Sequence, residues 1–346
     1  MSPENKRNSI SKESLALVEE VKNGKVRAIA RMISLAEANK DESLEALDEI
    51  YRSSGQAHIV GVTGVPGSGK SSLVNAMTKA IRKSGRTVGI IAIDPSSPFS
   101  GGAILGDRIR MADLAGDDGI FIRSMATRGA MGGLARASLD AADILDTAGF
   151  EVIIIETVGV GQDEVDIVKA AHTVTVVSAP GLGDEIQAIK AGILEIADIH
   201  VISKCDRPEA HNTISDIRNM LSIASRRSRS HGLDNRYNEK KNHDDCSLID
   251  WQLNVIATSA ETGEGIDKLL ESLDNHFRYL NESGEINERR RDIVEMRVIK
   301  ITEDLIRQKF RKIQDCKTSI IESVLKRDVT PRQASKELLR TFKLKK

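Results

Sequence analysis

Short apolar runs alternate with amphipathic stretches along most of the chain, and the alternation has a definable start. Before it, between Val26 and Leu47, Ala28, Ile29, Met32, Ile33, Leu35 and Ala36 recur at three- and four-residue spacing. That spacing puts them on one helix face, so residues 13–50 read as helices with one buried stripe. From His58 the period changes. HIVGVT (58–63), TVGIIAI (87–93), EVIIIE (151–156), TVTVVSA (173–179), DIHVIS (198–203) and QLNVIA (252–257) are β-rich runs, each leading through glycines or polar residues into a helical stretch. Continuous apolar strands alternating with helices predict an α/β fold, a mostly parallel sheet sandwiched by helices.

Two later segments depart from this pattern. Residues 225–247 (SRRSRSHGLDNRYNEKKNHDDCS) are polar and charged with almost nothing to bury, and read as a solvated surface insertion. Residues 286–327 are highly charged, with apolar positions at Ile293, Val294, Met296, Val298, Ile299, Ile301, Leu305 and Ile306. They predict a long amphipathic helix whose stripe must pack on its own domain or on a second copy. A further helix is expected to start near Pro331, capped by Thr330. The resulting division is an N-terminal helical extension (1–54), a core (55–282) and a C-terminal helical arm (283–346).

Composition narrows the classes. A chain of 346 residues suits one large α/β core with helical appendages. Aromatics are only 3%, so Ile, Val, Leu and Ala must build the core. With 50 basic and 51 acidic residues, the chain lacks the basic excess of a nucleic-acid binder. No apolar stretch approaches the roughly 20 residues of a membrane span, and MSPENKRNSISKES lacks a secretory apolar segment. Cys205, Cys246 and Cys316 are scattered, which fits a reduced, cytoplasmic compartment rather than a zinc site.

The run Gly64-Val65-Pro66-Gly67-Ser68-Gly69-Lys70-Ser71 fulfils G-x-x-x-x-G-K-[ST], between a strand and the helix that Ser72 continues. Its glycines let backbone N–H groups turn toward a β-phosphate, and the helix N-terminus favours the anion. Lys70 is expected to reach the β- and γ-oxygens, and Ser71 to ligate Mg²⁺. Acidic partners for the metal end neighbouring runs. Asp94 closes TVGIIAI and Glu156 closes EVIIIE, while Asp107 lies in a glycine-rich loop with no strand to fix it. Glu156 with Thr157-Val158-Gly159 has the form of a Walker B acid followed by a γ-phosphate-sensing glycine.

Two later pieces select the base. Ser203-Lys204-Cys205-Asp206 is close to N-K-x-D, and follows a strand two places after the Walker B strand. The Asp206 carboxylate can accept from guanine N1–H and N2–H₂ together, a pairing adenine cannot make, while the Lys204 stem lies over the base. Ser203 stands where Asn is usual, which leaves the loop's tethering hydrogen bond open. Ser259-Ala260 after the last run fits the loop whose backbone N–H meets guanine O6. In this order, the pieces favour GTP over ATP.

GVTGVPGSGKSSL, IAIDPSSPFSGGAILGDRIRM, FIRSMATRGAMGGLA and ETVGVGQDEVDI resemble the methylmalonyl-CoA mutase-associated GTPases (MeaB/ArgK-like), of the metallochaperone-related branch of P-loop GTPases. The resemblance runs from about residue 24 to the C-terminal helices. It implies a homodimeric chaperone that uses GTP to gate cofactor delivery to an adenosylcobalamin-dependent acyl-CoA mutase and to protect or reactivate it. It also implies C-terminal helical arms as the dimer contact, and switch segments at 94–111, 123–133 and 183–190. Asp184 and Lys190 match positions the family uses near the nucleotide; from helical spacing alone, Lys190 equally suits a solvent-facing position.

Phosphoryl transfer depends on positioning and charge neutralisation more than on covalent chemistry. No glutamine immediately follows Gly159; Gln162 lies three residues on. Slow intrinsic hydrolysis is therefore expected, sped when a partner orders the switch loops, with Arg108, Arg110, Arg123 or Arg128 as a finger in cis. The rival readings are a metal-insertion GTPase, which calls for His- or Cys-rich ligand clusters, and a small-molecule P-loop kinase, which has no use for SKCD and TSA.

Overall fold

The computed structural model describes residues 12–38, 41–94, 111–114, 116–126, 136–157, 167–181, 196–231, 251–311 and 314–344. The chain divides into two units, Met1–Ile293 and Val294–Lys346.

The first unit is built on a parallel sheet. Its strands are β1 (His58–Thr63), β2 (Val88–Asp94), β3 (Ile120–Ala126), β4 (Val152–Glu156), β5 (Thr173–Ser178), β6 (Ile199–Ile202) and β7 (Asn254–Ala257). Among the described residues they run in the order β3-β2-β4-β1-β5-β6-β7, every neighbouring pair parallel. The central strands β4, β5 and β6 are buried along their whole length, as strands covered on both faces must be. Six strands coincide with the apolar runs. The seventh, β3, was not expected: Arg123–Ala126 was assigned to a switch loop, and is strand. An edge strand tolerates polar side chains, and IFIRSMA mixes buried positions with a half-buried run at Ile122–Ser124, so it lacks the continuous apolar signature.

Helix α1 spans Lys12–Lys22, α2 Val26–Ala38 and α3 Asp41–Ser53. The single N-terminal stripe is thus divided between two helices. Ala28, Ile29, Met32, Ile33 and Ala36 of α2 are buried, whereas Leu35 is only half-buried. Both α2 and α3 pack on α5 (Arg136–Thr147), which lies against β2 and β4. Helices α4 (Lys70–Lys83) and α7 (Ile266–Ser283) pack together; Leu73, Val74, Met77 and Ile81 of α4 and Leu269 and Leu273 of α7 share one apolar core with β1, β2 and β4. Burying each such side chain contributes about 1.5–3 kcal/mol. Helix α6 (Ala210–His231) carries the backbone of 225–231 in helical form, where an insertion loop was expected; arginine favours helix. Helix α8 spans Glu285–Arg311.

At the ends of β1 and β5 remote from the phosphate loop, polar side chains close a buried network. His58 Nε2 and His276 Nδ1 each lie 2.8 Å from Thr173 Oγ1. Arg289 of α8 grips both carboxylate oxygens of Asp198, at 2.5 and 3.1 Å, and His276 Nε2 lies 3.5 Å from the same group. Phe277 stacks on His58, ring centroids 4.2 Å apart. Burial pushes His172 and His276 down to about 4, Arg289 adding to the effect at both and Asp198 opposing it at His276. Burial likewise holds His58 well below its ordinary value. All three are neutral at pH 7.

The second unit holds α9 (Gln314–Leu325) and α10 (Pro331–Leu344), which pack together. Thr330 caps α10 as expected. Gln333 N–H donates to Thr330 Oγ1 at 3.2 Å and Thr330 N–H donates to Gln333 Oε1 at 2.9 Å, a reciprocal capping box.

Candidate nucleotide-binding site

The phosphate loop, 64–69, joins β1 to α4 where the strand order reverses: β1 leads to β2 on one side, and β4 leads to β5 on the other. The crevice beyond the strand C-termini at such a point is where open parallel sheets bind ligands. Gly64, at φ 140°, comes so near β5 that a Cβ would stand 2.1 Å from the Val177 carbonyl oxygen. Gly69, at φ 87°, begins α4 from the left-handed region. Larger residues would strain both positions.

Lys70 is buried, and its Nζ donates to Gly64 O at 2.7 Å and Val65 O at 3.1 Å. The ammonium therefore folds back onto the first two residues of the loop it terminates. Ser71 Oγ donates to Glu156 Oε1 at 2.7 Å. Glu156 is only 3% exposed, at the end of β4. Thr157 Oγ1 donates to Thr63 Oγ1 at 2.9 Å and ties the same ends of β4 and β1. Val65 is half-buried, Pro66, Gly67 and Ser72 are exposed, and Ser68 is buried. The backbone of Asp94 closes β2, whose Ala92 pairs with Glu156; its side chain lies outside the described set. Asp107, Gly159, Gln162, Asp184 and Lys190 lie outside the described residues, as do Arg108, Arg110 and Arg128. Of the arginines proposed as fingers, Arg123 is accounted for: it pairs with Glu37 and donates to Ser34 Oγ, both on α2.

The base-reading loops follow β6 and β7. Cys205 N–H donates to Thr258 O at 3.0 Å. The Ser259 hydroxyl hydrogen-bonds the exposed Asp206 carboxylate and, ahead of smaller contributions from its own backbone, Arg207 and Lys204, holds it below the usual carboxylate range. Asp206 is therefore an anion, able to accept two hydrogen bonds from one base edge. Ser259 N–H is committed to Glu264 O at 2.9 Å.

The two halves of the site touch. Lys204, at φ 53°, places Nζ 2.7 Å from Gly67 O. Ser203 Oγ lies 2.5 Å from Ser68 O and 3.0 Å from Ser178 O. Below them Ser178 Oγ meets His200 Nε2 at 3.1 Å, and burial lowers His200 to about 4. This polar layer under the loops was not anticipated. Its only trace in the sequence is Ser178 and His200 interrupting otherwise apolar runs.

A seven-stranded parallel sheet with this loop, a buried Ser–Glu pair and a paired Lys-x-Asp and Ser-Ala set defines a P-loop nucleotide hydrolase reading guanine. The family described as methylmalonyl Co-A mutase-associated GTPase MeaB matches residues 29–315. The chain belongs to that family and is a GTPase. A Pyrococcus horikoshii protein provisionally named a GTPase is 44% identical over 92% of this chain and 95% of its own. GTPase ArgK of Escherichia coli is 33% identical over 78% of each chain. The crystal structure of an LAO/AO transport system kinase shares the fold, with a TM-score of 0.67 at 24% identity over 96% of this chain and 99% of its own.

Proposed function

We propose that this GTPase is the nucleotide-driven chaperone of an adenosylcobalamin-dependent acyl-CoA mutase, with methylmalonyl-CoA mutase as the first candidate. Membership of the mutase-associated family carries this reading. GTP hydrolysis gates delivery of the mutase's cofactor and protects or reactivates that enzyme.

The oxygen donors at the phosphate site suit Mg²⁺, a hard cation that takes hydroxyl and carboxylate ligands. Ser71 and Glu156, already adjacent, hold it, with Asp94 and Asp107 as further acids. The ion neutralises charge on the phosphates when bound. Lys70 supplies the fixed positive charge toward the β- and γ-oxygens, and the 64–69 amides with Ser71 and Ser72 cradle the phosphates. Gly159 senses the γ-phosphate, while Asp184 and Lys190 act beside the nucleotide from the third switch segment. Asp206 and Lys204 take the guanine. Because the Ser259 amide is already engaged, the Ala260 amide is assigned to guanine O6.

The arm 283–346 serves as the dimer contact. Val294, Val298, Ile299, Leu305 and Ile306 of α8 are exposed apolar side chains, which supports that assignment. No helix among the described residues is long and apolar enough to cross a membrane.

The test is GTP turnover by the purified protein, alone and with an adenosylcobalamin-dependent mutase from the same organism, with Lys70→Ala as control. Slow basal turnover that the mutase stimulates and the control abolishes supports the reading. Turnover indifferent to every such mutase removes the chaperone assignment and leaves the GTPase.

A further inference from the structure

Strand β4 runs out into two successive polar side chains, Glu156 and Thr157, both buried. Neighbouring side chains of a strand point to opposite faces. Glu156 turns to Ser71 on α4, whereas Thr157 Oγ1 donates to Thr63 Oγ1 at 2.9 Å. Thr63 is the last residue of β1 and is fully buried. Val60 and Val62 share the apolar core of α4, so Gly61 and Thr63 face the other side of the sheet. That side is packed as well, since a Cβ on Gly61 would stand 2.6 Å from Ile167 Cγ1 and 3.1 Å from Ala171 Cβ. Val62 pairs with Glu156, and Thr157 N–H donates to Val62 O at 3.0 Å, which sets Thr63 beside Thr157. A pair of valines would fill the same space without giving the contact a direction.

We propose that Thr63 and Thr157 are positioning residues for GTP hydrolysis, a hydroxyl bridge that holds the Glu156 carboxylate in register with the phosphate loop. The inference rests on the placement of Ser71 and Glu156 at Mg²⁺ and adds the pair that fixes the strand end carrying Glu156. Thr63 directly precedes Gly64, the first residue of the phosphate loop, and Thr157 directly follows Glu156. A bond between their side chains therefore joins the root of the loop to the root of the acid. The last β2 residue paired with β4 is Ala92, opposite Glu156. Beyond that point Thr157 is held from the β1 side, by Val62 O and by Thr63 Oγ1. Without the hydroxyl bond, Glu156 sits at a strand end with one anchor fewer, and small misplacements of a reacting group cost rate steeply. Both threonines are buried and face each other, so they act through Glu156 and not by touching nucleotide.

The experiment measures GTP turnover and the affinity for a fluorescent GDP analogue, with the full chain as wild type, Thr63→Val, Thr157→Val, the double variant and Thr157→Ser. Valine keeps the volume and removes the hydroxyl, and serine keeps the hydroxyl. Each valine variant is expected to lower kcat about tenfold and to leave GDP affinity within about twofold of wild type. The Mg²⁺ concentration for half-maximal turnover should rise in both. Without nucleotide or Mg²⁺, hydrogen exchange of the Thr157 amide should quicken in the same variants. The double variant should fall no further than either single one, because both remove the same bond, and Thr157→Ser should restore kcat. An undiminished kcat in the valine variants, or losses that add up in the double variant, would overturn the proposal. Valine variants that do not fold, or that lose kcat and GDP affinity together, would make the pair structural only and overturn it too. Full turnover in Glu156→Gln would instead remove the metal placement on which the pair is argued.

Discussion

Ser71 Oγ donates to Glu156 Oε1 across 2.7 Å, joining the first turn of α4 to the last residue of β4. Both side chains are buried, so the bond is shielded from competing water. It brings together the two oxygens proposed above to hold Mg²⁺. Glu156→Gln keeps the shape and removes the charge, and should lower GTP turnover by about a hundredfold or more. Ser71→Ala should raise the Mg²⁺ concentration needed for half-maximal turnover. A Mg²⁺ titration of turnover checks both, and normal half-saturation in Ser71→Ala would take Ser71 out of the metal site.

The Asp206 carboxylate is an acceptor on both oxygens, which suits the donor pair of guanine. Asn at this position presents one acceptor and one donor. That pattern matches xanthine, whose 2-carbonyl replaces the 2-amino group. Asp206→Asn is therefore expected to weaken GDP by about a hundredfold and to strengthen xanthosine diphosphate. Competition binding with the two diphosphates measures the exchange, and a uniform loss for both would argue that Asp206 shapes the loop without touching the base.

The phosphate loop and the central strands were legible because each rests on local chemistry. Gly64 and Gly69 are there for a close approach and a left-handed turn, and β4, β5 and β6 read as mostly apolar runs because both of their faces are covered. The edge strand β3 was hidden, since an edge position accommodates polar side chains such as Arg123 and Ser124 and breaks the apolar signature, Arg123 pairing with Glu37 on α2. The polar layer was also hidden. Ser203, Ser178 and Ser68 are brought together from positions 135 and 25 residues apart, a relation no local period encodes. Ser203 read alone was a departure from a motif; beside Ser68 O it is a contact.

Arg289 and Asp198 form a pair that is mostly withdrawn from solvent, with side-chain exposures of 15% and 10%. Val174 N–H also donates to Asp198, at 2.7 Å. Removing the arginine leaves a carboxylate short of its main counter-charge, a loss that typically costs about 3–5 kcal/mol. Arg289→Ala should therefore lower the urea midpoint of the first unit markedly. Arg278→Ala, whose exposed side chain donates to Asn275 on the same helix, is the control and should move it little. Equal midpoints for the two variants would show that water replaces the guanidinium at no cost.

Acid should unfold the protein through its histidines before most of its carboxylates are protonated. His172, His200 and His276 have values lowered from 6.5 to about 4 by burial, and His58 is lowered as well. Between those limits the unfolded chain binds protons at these rings that the folded chain refuses. Stability is therefore fully present above about pH 6.5 and falls as pH drops toward 4, by on the order of 1 kcal/mol per pH unit for each ring. Urea midpoints measured from pH 7.5 to 4.5 should fall continuously. His276→Gln should flatten the slope, because glutamine takes no proton in this range, even if the variant is less stable at pH 7.5. A slope unchanged by that substitution would mean that His276 is already protonated in the folded protein, with Asp198 as its counter-charge.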